Sequence, residues 1–287
     1  MFEIITKKTL APDICYMEVY APRIANSTMP GQFLIVRVDE KSERIALTIA
    51  DINRNKGTIV IVTQALGAST RKITALSQED KFANVAGPLG KPSELVNLTM
   101  TELTGLNVLF VAGGLGAAPI YPQVKFMHEN GKNSDVVLGS RSSDLIIFRE
   151  ELLSVSKSLI IATNDGTEGT KGFVTDVMKN LIENDRVKYD MVITIGPMIM
   201  MKAVTDYTRP LNIKTVASLN TLMVDGTGMC GACRVTVDGK TKFTCVDGPE
   251  FDAHKVNFDE AMRRQGMYKT EEKTKIDEGH DCLVGLK

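Results

Sequence analysis

The apolar positions of this chain change rhythm twice. Up to about residue 100 they come in short runs such as "QFLIVRV" (32–38), "TIVIVTQ" (58–64) and "KFANVAG" (81–87), each bounded by Gly, Asp, Asn or Pro. The runs are too short for helices and rich in β-branched residues, so they read as strands. Several such strands at close spacing predict a small antiparallel sandwich or barrel over residues 1–100.

From about residue 105 apolar strands alternate with helix-period segments. "LNVLFVA" (106–112) is followed by "GGLGAAP" and the helical pattern "IYPQVKFMHENG", with Gly131 as its stop. "DVVLG", "SLIIAT", "DMVITIG" and "KTVASL" are further strands, and "FVTDVMKNLIEN" and "MIMMKAVTDYT" are helices between them. This alternation predicts a parallel sheet covered by helices over residues 101–220. Residues 221–250 carry glycines, cysteines and the hairpin pattern "RVTVDGKTKFTC" with Asp238-Gly239 at its turn. A polar extension, 251–287, completes the chain.

Composition narrows the function classes. A net charge of −1 gives no electrostatic pull toward nucleic acid or anionic lipid, and with no Trp and 6% aromatics there is little to stack bases on. No apolar run approaches the length of a membrane span, and the N-terminus lacks a signal-peptide core, so the expected location is cytoplasmic.

"VLFVAGGLGAAP" places Gly113, Gly114 and Gly116, with Ala117 and Pro119, where a strand hands over to a helix. Such a turn lets the backbone approach a pyrophosphate, with helix N-terminal amides as donors. A tight turn that binds nothing could share this sequence, because the spacing is not G-x-G-x-x-G. Other strand ends add suitable groups: Ser140 and Arg141 for ribose or phosphate, and Asn164 and Asp165 for hydroxyls. Gly196, Pro197 and Met198 are expected at a nicotinamide pocket. Together they predict a dinucleotide site.

Three of the five cysteines, Cys230, Cys233 and Cys245, fall within sixteen residues. In a reducing compartment this clustering points to metal rather than disulfides, while Cys15 and Cys282 read as structurally ordinary. With His254 the three could form a Cys3His zinc site. Gly226, Gly228 and Gly231 favour a loop that turns amides toward inorganic sulfides. Asp225 stands where the C-x4-C-x2-C order of plant-type 2Fe–2S loops has its first cysteine. The expected ligands are therefore Asp225, Cys230, Cys233 and Cys245.

A nicotinamide gives up two electrons together and an iron–sulfur cluster takes one, so a flavin is expected between them, on the barrel. Candidate contacts are Arg44, Leu47 and Thr48 in "RIALTIAD", and Val62, Thr63, Gln64, Gly67, Ser69 and Thr70 along "IVTQALGAST".

"RIALTIAD", "GPLGKPSEL", "GSRSSDL", "ATNDGTEGTKGFVTDVM" and "VDGTGMCGAC", in this order, resemble the ferredoxin reductase superfamily, in the branch of the dihydroorotate dehydrogenase B electron-transfer subunits. The resemblance implies a ferredoxin-reductase-like β + α/β fold: an N-terminal antiparallel β-barrel carrying FAD, a Rossmann-like parallel α/β domain for NAD(H), and a small C-terminal 2Fe–2S lobe. It also implies an oxidoreductase subunit in a heterodimer with a larger iron–sulfur flavoprotein. Dihydroorotate-oxidising members use four cysteines, whereas aspartate in the first position is similar to the electron-bifurcating small subunits, whose partners exchange electrons with ferredoxin and NADP. In the superfamily an arginine commonly stands three residues before the Ser or Thr of the flavin motif. Arg44 is four before Thr48, which on a strand reverses its face unless a bulge intervenes.

Overall fold

The computed structural model describes residues 2–268 and 270–274; His280 and Cys282 lie outside them. The first sheet contains β1 (Phe2–Ala11), β2 (Ile14–Tyr20), β3 (Phe33–Arg37), β4 (Ile45–Asn53), β5 (Thr58–Gln64), β6 (Lys81–Phe82) and β7 (Asn84–Leu89), with α1 (Pro22–Ser27) and α2 (Ala68–Ala75) between strands. Its order is β6-β1-β2-β5-β4-β3-β7, all antiparallel. Only Ala83 separates the two edge strands, so the sheet curls nearly into a barrel, as the strand pattern predicted. Alternation fills its interior with Ile4, Met17, Val19, Leu34, Val36, Ile49, Ile59 and Ile61.

After α3 (Met100–Gly105), the second sheet takes up β8 (Val108–Gly113), β9 (Asp135–Ser140), β10 (Ser158–Thr163), β11 (Thr170–Lys171), β12 (Met191–Ile195) and β13 (Lys214–Ser218). The intervening helices are α4 (Ala117–Glu129), α5 (Arg149–Val155), α6 (Val174–Lys179) and α7 (Met198–Thr208). The order β11-β10-β9-β8-β12-β13 is parallel throughout, and its direction of winding reverses between β8 and β12. β8 is buried along its whole length, as a central strand covered on both faces must be.

The cysteine segment leaves this sheet and comes back to it. β14 (Arg234–Val237) and β15 (Lys240–Phe243) form a hairpin whose Asp238 and Gly239 both have positive φ (51° and 69°), the conformation of a type I′ turn. A short helix, α8 (Thr244–Asp247), carries Cys245, and β16 (Glu250–Asp252) then adds to the sheet edge antiparallel to β13. Helix α9 (Phe258–Gln265) buries Phe258 and Ala261 in a core shared with Met198, Met201, Ala217 and Phe251.

Candidate functional site

The winding reverses between β8 and β12, and open α/β sheets bind ligands in the crevice beyond the carboxyl ends of their strands at such a point. Four of the predicted residues meet there. A Cβ on Gly116 would lie 2.1 Å from the Ile195 carbonyl oxygen, and one on Gly196 would lie 3.0 Å from the Gly113 amide nitrogen. Only glycine lets the start of α4 press against the end of β12. Pro197 closes the same corner, 3.1 Å from where a Gly113 Cβ would stand. Ala117 is buried, and Pro119 sits in the first turn of α4, where its missing N–H costs nothing.

Ser140 ends β9, while Asn164 and Asp165 follow β10, tied to it through Asn164 N–Ser140 O (3.1 Å) and Asp165 N–Arg141 O (3.2 Å). Arg141, Asn164 and Asp165 are exposed at this rim. The Thr167 amide and hydroxyl donate to Asp165 Oδ1 (3.0 and 2.7 Å) and hold its carboxyl below the usual range. Met198 does not join the crevice: at 3% exposure it packs into the core under α9. Met200 lies beside Gly113, its sulfur 2.4 Å from a virtual Gly113 Cβ. The helical period of "MIMMKAV" could have separated the two, since α7 turns 198 and 201 inward together.

On the barrel, β4 alternates from Ile45 to Ile49. Ile45 and Leu47 pack on the barrel core, and Ala46 packs outward with Met223, Cys233 and Cys245. Thr48, two residues on, shares the face of Ala46. Ala50 of β4, with Val60 and Val62 of β5, packs in one core with Ala117, Ala118 and Tyr121 of α4, and Lys125 Nζ meets Asp51 Oδ1 at 2.8 Å. Thr63 Oγ1 is buried without a hydrogen-bond partner. Gly67 begins α2, where Thr70 Oγ1 accepts from the Leu66 and Gly67 amides and Ser69 donates to Glu43. Beside this turn Leu66 is 68% exposed. An open apolar side chain and a helix start fit a flavin nucleotide on this side of the barrel.

Arg44 goes elsewhere. β3 and β4 pair without a shift from Ile45 to Thr48, and the irregularity in β4 comes only after Ile49. No bulge corrects the register. The Arg44 guanidinium donates to Val224 O (3.1 Å) and Asp225 O (3.2 Å) instead.

The cysteine loop lies against β3 and β7: a Cβ on Gly226 would come within 2.5 Å of Ile35 Cδ1 and 2.9 Å of Leu89 Cδ1. The thiols of Cys233 and Cys245 are buried and free of a disulfide, Cys233 Sγ donating to Cys245 Sγ at 3.3 Å. Both the amide and the hydroxyl of Thr244 donate to Cys233 O (3.1 and 3.0 Å), fixing α8 against the loop. Burial, with Cys233 alongside, pushes the Cys245 thiol well above its usual range, while the Gly228 amide donates to it and works the other way. Cys230 is exposed. Asp225 accepts from Thr227 and from the Met229 amide (3.4 Å), bonds that hold its carboxyl below the usual range.

As they stand, no three His, Cys, Asp or Glu side chains among the described residues are gathered into a metal-binding group. The donor chemistry nevertheless fits an iron–sulfur cluster. Two thiols are adjacent, an amide already points at sulfur, and Gly226, Gly228 and Gly231 all have positive φ. His254 is not a fourth donor beside them, since its Nε2 lies 3.2 Å from Thr208 Oγ1 and Arg209 binds its carbonyl.

Comparison with known proteins agrees with this division. Residues 220–257 match the iron-sulfur cluster binding domain of dihydroorotate dehydrogenase B, and residues 110–206 match an oxidoreductase NAD-binding domain. A Clostridium beijerinckii protein described only by its position in the adh 3′ region is 53% identical over 98% of this chain and 96% of its own length. The Thermotoga maritima homolog of the dihydroorotate dehydrogenase B (NAD+) electron transfer subunit is 42% identical, covering 94% and 93%. A solved structure of an NADH-dependent reduced ferredoxin-NADP oxidoreductase, described for flavin-based electron bifurcation, is 40% identical, covers 97% of both chains and superposes with a TM-score of 0.88. Phthalate dioxygenase reductase, 17% identical with a TM-score of 0.57, shares the fold. Among the described residues no helix is long and apolar enough to cross a membrane. The chain belongs to the family of dihydroorotate dehydrogenase B electron-transfer subunits and their homologues: it is an oxidoreductase subunit of ferredoxin-reductase-like fold, with an NAD-binding domain and an iron–sulfur lobe.

Proposed function

We propose that this chain passes electrons reversibly between NAD(H), FAD and a 2Fe–2S cluster, as the small subunit of an electron-bifurcating NADH-dependent ferredoxin:NADP oxidoreductase. One observation carries the reading: β4 touches all three regions. Arg44, immediately before it, and Ala46 meet the cysteine loop, Thr48 follows on the face of Ala46, and Ala50 and Asp51 meet α4 of the nucleotide domain.

When bound, FAD supplies the conversion between a two-electron carrier and a one-electron cluster. The chain's own work is positioning and tuning. Gly113, Gly114 and Gly116 open the turn before α4 for a pyrophosphate, Ser140, Arg141, Asn164 and Asp165 hold a ribose, and Gly196 and Pro197 shape the nicotinamide end. Thr48 with Val62, Thr63 and Gln64 lines the flavin ring side, and Gly67, Ser69 and Thr70 take its phosphates. Asp225, Cys230, Cys233 and Cys245 hold the cluster, with the Gly228 amide stabilising the more negative, reduced state. Exposed Leu222, Val224, Met229 and Val246 surround the loop and offer an apolar seat for a larger flavoprotein partner.

Support for this partner is the 40% identity over 97% of both chains to the ferredoxin-NADP oxidoreductase structure. A partner that oxidises dihydroorotate is the second reading, favoured by the domain matched at residues 220–257. Purification of the native complex tests both, with iron, sulfide, zinc and flavin assays and NADH-dependent reduction of ferredoxin, NADP or orotate. Zinc without iron or flavin would refute the redox reading. Orotate turnover without ferredoxin reduction would select the second partner.

A further inference from the structure

Three arginines donate to backbone carbonyls of the cysteine loop. Arg234 reaches Gly231 O (3.3 Å) and Arg264 reaches Ala232 O (3.1 Å), both from inside the C-terminal region. Arg44 reaches Val224 O and Asp225 O from the barrel, 180 and 181 residues away in sequence. Of the three, only Arg44 joins the cysteine loop to the strand that also carries Thr48. Between them Ala46 packs against the same cluster of side chains as Cys233 and Cys245.

We infer that Arg44 is a positioning residue that locks the cluster loop to the flavin-bearing strand and raises the reduction potential of the cluster. The inference rests on the cluster reading above. A guanidinium with two N–H groups on successive carbonyls fixes the orientation of a peptide segment, which a single-point contact does not. Gly226 sits close to Ile35 and Leu89, an apolar contact without directional preference, and the Lys91 amide ties the far end of the segment at Gly248 O (2.7 Å). The hydrogen bonds of Asp225 to Thr227 and Met229 are internal to the loop and cannot orient it against the barrel. A cluster that accepts an electron becomes one unit more negative, so a permanent cation at its ligand backbone favours the reduced form.

The test uses the complete two-subunit complex with Arg44→Gln and Arg44→Lys. Three quantities are read: the cluster midpoint by EPR-monitored titration, the flavin-to-cluster transfer rate after rapid mixing with NADH, and the rate of flavin reduction by NADH. Arg44→Gln should shift the reduced-to-oxidised ratio at fixed potential about tenfold toward oxidised, about 59 mV for a one-electron couple. It should also slow flavin-to-cluster transfer at least about fivefold and leave flavin reduction within about twofold, a single-step loss of positioning. Arg44→Lys restores the charge but not the two-pronged bond, so it should recover the potential and not the transfer rate. An unchanged midpoint and transfer rate in Arg44→Gln overturn the inference. If that variant loses its iron, Arg44→Lys decides: a wild-type transfer rate overturns it, a slowed one upholds it. A wild-type complex with no reduced 2Fe–2S signal refutes the cluster reading itself.

Discussion

Gln123 Nε2 donates to Glu250 Oε1 at 2.5 Å, joining α4 of the nucleotide domain to the strand that follows the cysteine lobe. Ser93, from the segment after the barrel, donates to Gln123 Oε1 at 3.0 Å, so the three parts of the chain meet at this contact. Burial pushes the Glu250 carboxyl up to about 7, and the charge of Glu94 adds to the shift; bonds from Ser93 and Gln123 oppose it. Its Oε2 is buried with no partner.

A carboxyl whose folded-state pKa is raised stabilises the fold while protonated. The contribution is full below the unfolded value of about 4.5 and is lost as pH rises through about 7. The total is on the order of 3 kcal/mol. Glu250→Gln should flatten stability between pH 5 and 8 and make the variant more stable than wild type at pH 8. Denaturant unfolding at several pH values checks this; parallel wild-type and variant profiles would contradict it.

Gly116→Ala should weaken NADH binding more than Gly114→Ala. The new methyl at 116 would meet the Ile195 carbonyl at 2.1 Å, with backbone on both sides unable to yield. Overpacking of this kind costs about 1–3 kcal/mol and moves α4 away from β12, so NADH affinity should fall at least tenfold. At Gly114 there is open space and only a φ of +53° to strain, costing roughly 1–2 kcal/mol. Thermal unfolding and NADH titration of both variants separate the two effects.

Asp225→Cys should retain iron while changing the visible spectrum and midpoint potential, because a thiolate bonds iron more covalently than a carboxylate. Serine at Cys230, Cys233 or Cys245 should lower the iron content. A spectrum and potential identical to wild type in Asp225→Cys would place this carboxylate outside the ligand set.

Lys125→Ala should cost less than about 1 kcal/mol, despite its 2.8 Å contact with Asp51 across the barrel and nucleotide domains. Both side chains retain about a third of their exposure, 28% and 30%, so water screens the pair. The apolar contact of Ala50, Val60 and Val62 with α4 holds this junction instead. A Tm drop of more than a few degrees would show that the ion pair carries more of the junction.

Much of the fold was readable because its signals are local. Short β-rich runs became the barrel, Asp238-Gly239 became the hairpin turn, and the glycines at 113, 114, 116 and 196 fell at strand ends where a parallel sheet needs them. What escaped depends on partners distant in sequence. Nothing near Arg44 signals that its guanidinium finds carbonyls 180 residues on; the one-residue mismatch with Thr48 left either a bulge or a different partner, and the unshifted β3–β4 pairing decides for the partner. Nothing in the sequence marks Glu250, and its burial follows only from the pairing of β16 with β13. Met198 packs into the core and Met200 beside Gly113, because two residues along a helix turn the side chain to another face.

The pairing of Ser218 with Glu250 has a topological consequence. The cysteine lobe is an enlarged hairpin between neighbouring strands and not a tail appended to a finished domain. Stopping the chain after residue 220 would strip the sheet of its last strand together with the lobe, whereas a short turn joining β13 directly to β16 would excise the lobe and leave the edge closed. The redox terminus of this protein is thus built as a detour, one that could be inserted into or removed from a nucleotide-binding reductase without altering either sheet's strand order.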